Sequence, residues 1–275
     1  MIVYRCLHFI LRRFVALDNR IWDKMQQREK KVVEKKTDDF SLSLPSIDSF
    51  FADISIITHA GGGLQGMNYL NSKNAFAIYY DNGNRVFEYD IDLSSDGNFI
   101  CAHTDKSITG KEYLAKRIDG RFTPISIEEC ISLIKDHKNI KVVFDCKFTD
   151  LKPFAEYIKS MLTSEDDLSR IVIQVFNEEN IKQVRGIWDF HMLYVCMNNT
   201  DYLEAARLCV EHNIPAVSIS YGAIKERSGW QVFKKANICS FAYTVNTVQE
   251  YKDLKEKGID GVFSDFLFEK DVDSL

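Results

Sequence analysis

The chain has 275 residues, 45% of them hydrophobic and 27% charged, an ordinary globular composition with enough length for a full core. Its net charge of -5 conceals an asymmetry, since residues 1–36 carry ten Lys or Arg against four Asp or Glu and the remainder is acidic. An acidic body excludes a general nucleic-acid binder, because neutralising phosphates needs a basic surface.

The opening stretch "MIVYRCLHFILRRFVAL" is interrupted by Arg5, Arg12 and Arg13 and is followed by no small-residue cleavage site, which argues against a signal peptide. No window has the uninterrupted apolar length of a membrane span. Ile10, Phe14, Leu17 and Ile21 recur at helical spacing, so residues 1–36 are expected to form a basic amphipathic helical extension. It would lie on an anionic membrane surface, dock on a protein partner, or pack on the chain's own body. Residues 37–53 read as a linker. Seven scattered cysteines, odd in number and without zinc-type spacing, predict buried free thiols in a reducing compartment, hence a cytoplasmic protein, membrane-associated if the extension binds lipid.

From residue 54 onward short β-rich runs alternate with helical ones. Expected strands are "ISIITH", "RVFEYDID" with an extension "NFICAH" after the turn "SSDG", then "IKVVFDCKF", "RIVIQVF", "MLYVCM", "AVSIS", "ICSFAYTV" and "GVFSD". Between them, "SKNAFAIYYDNG", "SIEECISLIKDH", "DLKPFAEYIKSML", "NEENIKQVRGIW", "DYLEAARLCVEHN", "AIKERSGWQVFKKA" and "VQEYKDLKEKG" carry apolar residues at three-to-four spacing. This rhythm implies right-handed βαβ units and a parallel sheet. Residues 54–275 are therefore expected to form an α/β (β/α)8 TIM barrel, ahead of an open sheet, for which no glycine-rich dinucleotide loop is present.

Period two within "VFEYDID" sends Glu88 and Asp90 to one face and Phe87, Tyr89 and Ile91 to the other, which in a barrel puts both carboxylates inside. Asp145 and Lys147 share a face in the same way. His59 ends the first strand and His103 the extension. Converging carboxylates repel and either take up protons or bind a cation, and oxygen ligands suit Mg2+, Ca2+ or Mn2+ better than zinc. The alternative for Glu88, Asp90 and Asp145 is a set of ion pairs, with Lys147 as the obvious partner. Two histidines flanking such a site suit acid-base chemistry on a phosphodiester, one activating the nucleophile and the other protonating the leaving oxygen.

Read in order, His59-Ala60-Gly61, Asn71-Ser72 with Ala75-Phe76, Glu88-Tyr89-Asp90, Asp96-Gly97, His103-Thr104, Asp145-Cys146-Lys147, Tyr243-Thr244-Val245-Asn246 and Gly258 to Asp265 resemble the motifs of the glycerophosphodiester phosphodiesterase family. The resemblance runs from about residue 54 to 266 and implies a metal-dependent phosphoric diester hydrolase acting on a small phosphodiester in lipid metabolism. It implies Glu88, Asp90 and Asp145 as ligands of a divalent cation, Mg2+ or Ca2+, His59 and His103 as acid and base, and Lys147 as a phosphate contact. The family's His-Arg-Gly is His-Ala-Gly-Gly here, so the guanidinium that would grip phosphate is missing. Gly61, Gly62 and Gly63 would supply an anion-holding amide nest or simply a turn. Tyr243 would stack on the substrate's alcohol or serve as a core aromatic with a hydroxyl partner. Asn71 would brace the loop after the first strand. With Ala60 in that position, a barrel binding a phosphorylated ligand or sugar polymer without turnover is one rival expectation, and a membrane-associated phosphodiesterase acting on lipid headgroups through residues 1–36 is another.

Overall fold

The computed structural model describes residues 24–28, 30–103 and 107–273. Nine strands are formed: β1 Ile56–Thr58, β2 Val86–Leu93, β3 Phe99–Ile100, β4 Lys141–Cys146, β5 Ile171–Val175, β6 His191–Cys196, β7 Ala216–Ser220, β8 Cys239–Tyr243 and β9 Gly261–Ser264. All neighbours except β2 and β3 are parallel, and β1 pairs with both β2 and β9, which closes eight strands into a barrel. β3 stands outside that ring as a short antiparallel return on the end of β2, with Asp92 opposite Ile100. The expected strand extension "NFICAH" is thus only two residues long. The chain bends at Cys101, and His103 lies beyond the strand rather than at its end.

The period-two reading of the strands explains the two apolar layers. Phe87, Tyr89, Ile91, Phe144 and Ile173 belong to the layer between strands and helices. Ile57, Val143, Val172, Leu193, Phe241 and Phe263 form a separate cluster inside the barrel. Phe51 joins this inner cluster from the short helix Ser49–Ala52 and is fully buried. A segment that reads as a linker therefore carries a side chain belonging to the barrel interior, where burying so large a ring is worth a few kcal/mol.

Helix starts follow their capping residues. Ser72, Ser126, Asn177, Asp201 and Thr247 each accept a backbone N–H at the beginning of a helix, and Glu129 completes a capping box with Ser126. The single helix expected over 223–236 is instead two, Tyr221–Glu226 and Val232–Lys235, separated by Gly229 at a φ of 99°. A left-handed residue cannot continue a right-handed helix.

Of the N-terminal extension, Ile10, Phe14, Leu17 and Ile21 lie outside the described residues. Residues 24–28 and 30–38 are helical, and this helix packs on the chain's own barrel. Thr37 is buried, Lys235 pairs with Asp38 at 2.5 Å, and a Cβ at Gly229 would meet Val33 at 2.7 Å. Among the described residues no helix is long and apolar enough to cross a membrane.

Candidate active site

The register of β2 against β4 sets Asp90 opposite Asp145 and Glu88 opposite Val143, so three carboxylates occupy two successive levels of the same barrel wall. Their oxygens lie within 4.8 Å of one another. Each carboxylate is tied by one oxygen. Glu88 Oε2 accepts the Ala60 amide at 2.6 Å, Asp90 Oδ2 accepts the Asn71 side-chain amide at 3.0 Å, and Asp145 Oδ2 takes the Lys147 ammonium at 2.5 Å. The second oxygens, Glu88 Oε1, Asp90 Oδ1 and Asp145 Oδ1, are buried without a hydrogen bond, although the Lys147 ammonium sits 2.7 Å from Asp90 Oδ1 as an off-axis ion pair. Lys147 therefore meets the expected ion-pair role with two of the three carboxylates and leaves Glu88 without a Lys or Arg among the described residues.

Burial and the neighbouring Asp90 push the Glu88 carboxyl up to about 8, against the pull of His59. Burial likewise raises Asp145, with Lys147 opposing. For Lys147 burial works downward, yet Asp145, Asp90 and Glu88 outweigh it and hold the ammonium above its ordinary value. Orphaned carboxylate oxygens at this depth are costly unless something positive meets them. Three oxygen donors of this kind fit a hard divalent cation.

His59 follows β1 directly. Its Nδ1 is 2.7 Å from Asp265 Oδ1, at the end of β9. Asp265 is fixed in turn, its Oδ2 accepting from Asn246 Nδ2 at 2.9 Å and its amide donating to Asn246 Oδ1 at 2.8 Å. Burial works against a charged His59, but the bond to Asp265 and the charge of Glu88 win and raise the imidazole to about 9. Burial also opposes the ionised form of Asp265, whose carboxyl is nevertheless held below its ordinary value by His59 and Asn246. A carboxylate on Nδ1 fixes the imidazole's orientation and leaves Nε2 as the proton-exchanging atom. Neither Asp265 nor Asn246 stood out as a site residue in the sequence. The available signals were their places in two of the motif-like stretches, Tyr243 to Asn246 and Gly258 to Asp265, and their position just after the last two barrel strands.

His103 is exposed, and its ring lies 4.9 Å from that of Tyr69, which is also 5.0 Å from His59. The two histidines thus reach one mouth with a tyrosine between them. Asn71, fully buried at a φ of 40°, braces more than its loop, for it holds both the Asp90 side chain and, at 3.1 Å, the Asp90 amide. The expected amide nest is not formed by Gly62 and Gly63, whose N–H groups donate to His59 O and Asp265 O at 2.8 and 2.6 Å. Gly61 and Gly62 answer to packing instead: a Cβ on Gly62 would clash with the Tyr79 ring, and one on Gly61 would meet the Tyr89 ring at 2.9 Å. The Tyr243 hydroxyl donates to Cys196 O at 3.1 Å, the behaviour of a half-buried aromatic with a satisfied hydroxyl.

Residues 126–268, slightly more than half of the chain, match the glycerophosphoryl diester phosphodiesterase family. The chain belongs to that family. Membership places it among phosphoric diester hydrolases, and the matched segment contains Asp145, Lys147 and Asp265 while β1 and β2 lie outside it. Solved structures share the barrel. A phosphodiesterase from Oleispira antarctica, in complex with the product sn-glycerol-3-phosphate, is 17% identical and covers 83% of this chain and 98% of its own, with a TM-score of 0.65. Glycerophosphodiester phosphodiesterases from Parabacteroides distasonis and Thermotoga maritima are 18% and 16% identical; each covers 77% of this chain, and 92% and 94% of their own, with TM-scores of 0.62 and 0.61. No curated protein matches the chain.

Proposed function

We propose that this family member is a metal-dependent phosphodiesterase that cleaves a glycerophosphodiester or a similar small phosphodiester by acid-base catalysis between His59 and His103. The observation that carries the reading is the conjunction of a carboxylate-anchored His59 with three buried carboxylates whose second oxygens lack hydrogen bonds. Glu88, Asp90 and Asp145 would hold a divalent cation, Mg2+ or Ca2+, which supplies neutralisation of phosphoryl charge and fixes the substrate's orientation.

The chain's own residues do the rest. Asp265 keeps the His59 ring oriented, so that its Nε2 takes a proton from the attacking hydroxyl or returns one to the departing alkoxide. His103 performs the complementary transfer. Asn71 holds the Asp90 carboxylate in position from both its side chain and its backbone. Lys147, shared between Asp90 and Asp145, offsets part of the negative charge that would otherwise repel an anionic substrate. Water as the attacker gives hydrolysis, and a neighbouring substrate hydroxyl gives a cyclic phosphate. The sn-glycerol-3-phosphate held by the Oleispira antarctica phosphodiesterase makes a glycerol-containing diester the first substrate to test.

One feature favours a rival reading, a barrel that binds phosphorylated ligands without turnover: Ala60 is fully buried, and its amide is engaged by Glu88, so position 60 offers no phosphate grip. Retention of both histidines speaks against that rival, since binding alone needs no proton transfer. The discriminating experiment is turnover of glycerophosphodiesters and generic aryl phosphodiesters with and without EDTA. Activity should require the ion, and His59→Ala and His103→Ala should each lose about a hundredfold or more. Unchanged turnover in both variants would rule the acid-base assignment out.

A further inference from the structure

The mouth is short of donors for a phosphoryl group. Lys147, the only Lys or Arg among the described residues paired with the carboxylate cluster, is divided between Asp90 and Asp145. The amides of Ala60, Gly62 and Gly63 are bound to protein acceptors. Asn68 and Asn246 both serve Asp265.

Tyr69 differs from all of these. Its ring touches His59 edge-on at 5.0 Å and His103 at 4.9 Å, yet it remains 44% exposed, and its hydroxyl makes no hydrogen bond to a described residue. Its backbone is held at a φ of 54°, between the exposed turn at Gln65 and Gly66 and the fully buried pair Leu70 and Asn71. An L-residue occupies that region at a cost, and such conformations persist where surrounding structure enforces them. Here the enforcement comes from Asn71, anchored to Ala60 O, Asp90 and Ile125 N. The phenol is thereby presented at the mouth while its neighbours are locked beneath it. Burial and the charges of Asp90 and Asp265 keep its proton on, so at neutral pH it is a donor.

We propose that Tyr69 is a substrate-binding residue, whose phenolic hydroxyl donates to a phosphoryl oxygen of the bound diester between His59 and His103. This rests on the phosphodiesterase reading and deepens it. The ligand class is a phosphate mono- or diester anion, gripped by a neutral hydroxyl rather than a guanidinium, so affinity would be modest and less dependent on salt than an arginine clamp would make it.

Tyr69→Phe keeps the ring between the histidines and removes only the donor. Two readouts separate the proposal from the reading beneath it. Binding of sn-glycerol-3-phosphate and of inorganic phosphate, measured calorimetrically with Mg2+ or Ca2+ present, needs no turnover. A hydrogen bond to a charged acceptor predicts affinity weaker by about tenfold or more in Tyr69→Phe. The KM for a glycerophosphodiester should rise similarly, and the melting temperature should match wild type. Wild-type binding retained within twofold by Tyr69→Phe overturns the proposal, even if the enzyme is active. No binding of either anion by wild type overturns it as well. Binding that depends on Tyr69 without any turnover would leave the proposal standing and remove the catalytic reading alone.

Discussion

Asp265 offers the sharpest test at the scale of one residue, because asparagine preserves its shape and removes only its charge. With Asp265→Asn the acceptor on His59 Nδ1 becomes an amide that can present its NH2, so the imidazole loses both its fixed tautomer and the stabilisation of its charged form. The expected result is a fall in kcat of about a hundredfold, with circular dichroism and melting temperature close to wild type. A kcat within threefold of wild type would show that His59 does not depend on this partner. The pairing also marks what the sequence makes legible. Glu88, Asp90 and Asp145 declare themselves by alternation within their own strands, where a charged residue on a buried face has to be explained, and Lys147 continues that alternation one residue past β4. The His59–Asp265 bond spans 206 positions, and no local pattern records which strand end meets which. Tyr69 was hidden for a related reason: its meaning depends on two rings from separate loops, and alone it is one more aromatic in a turn.

Among the elements, the helices were legible because apolar spacing and caps agree, and the strands because period two divides them cleanly between the inner and outer layers. What failed were edges and joints. "NFICAH" reads as a continuous apolar run bounded by Asn98 and His103, but only Phe99 and Ile100 pair, since β2 offers this return strand just Leu93 and Asp92 as partners. The 3-10 turn Glu269–Asp271 after β9 contains a titratable group whose behaviour follows from its surroundings. Burial, reinforced by Asp273, raises Glu269 to about 7, with Ser55 and Arg85 opposing. In the unfolded chain the same carboxyl loses its proton near its ordinary value, roughly 4.3. Between these two values the folded state holds a proton that the unfolded state has released, so stability falls as pH rises through that window and levels off above about 7. Glu269→Gln removes the effect. Discounting for the partial exposure of this side chain, the variant should be more stable than wild type by about 1 kcal/mol at pH 8 and no different near pH 4, as read by urea denaturation. A constant difference between the two pH values would mean that ionisation is not the cause.

For the molecule as a whole, the alternation of strands and helices specifies a closed barrel before any contact is known, whereas closure itself rests on β1 lying between β2 and β9, with Ile56 beside Val262. The floor was not legible: Phe51 is buried in the barrel interior from a stretch that reads as connector. Such a barrel has a weak point built into its wall, where Glu88, Asp90 and Asp145 crowd one ammonium and burial drives Glu88 up to about 8. Like charges held together in the folded state and dispersed in the unfolded one lower global stability until a cation joins them. On the proposed metal site, folding and ion binding would be linked, and an ion at a hundred times its Kd would add about 2.7 kcal/mol. Millimolar Mg2+ or Ca2+ should raise the melting temperature of wild type by several degrees over EDTA, at the rate of about 2–4 °C per kcal/mol for a domain of this size. Glu88→Gln reverses both halves of that behaviour: at neutral pH in EDTA it should melt above wild type, because the buried carboxyl no longer has either to take up a proton or to face Asp90 charged, and added ion should shift it little, because one ligand is gone. A wild-type melting temperature indifferent to both ions and to EDTA would mean that Lys147 and protonation of Glu88 suffice to hold the cluster, and the proposed metal site would fall with it.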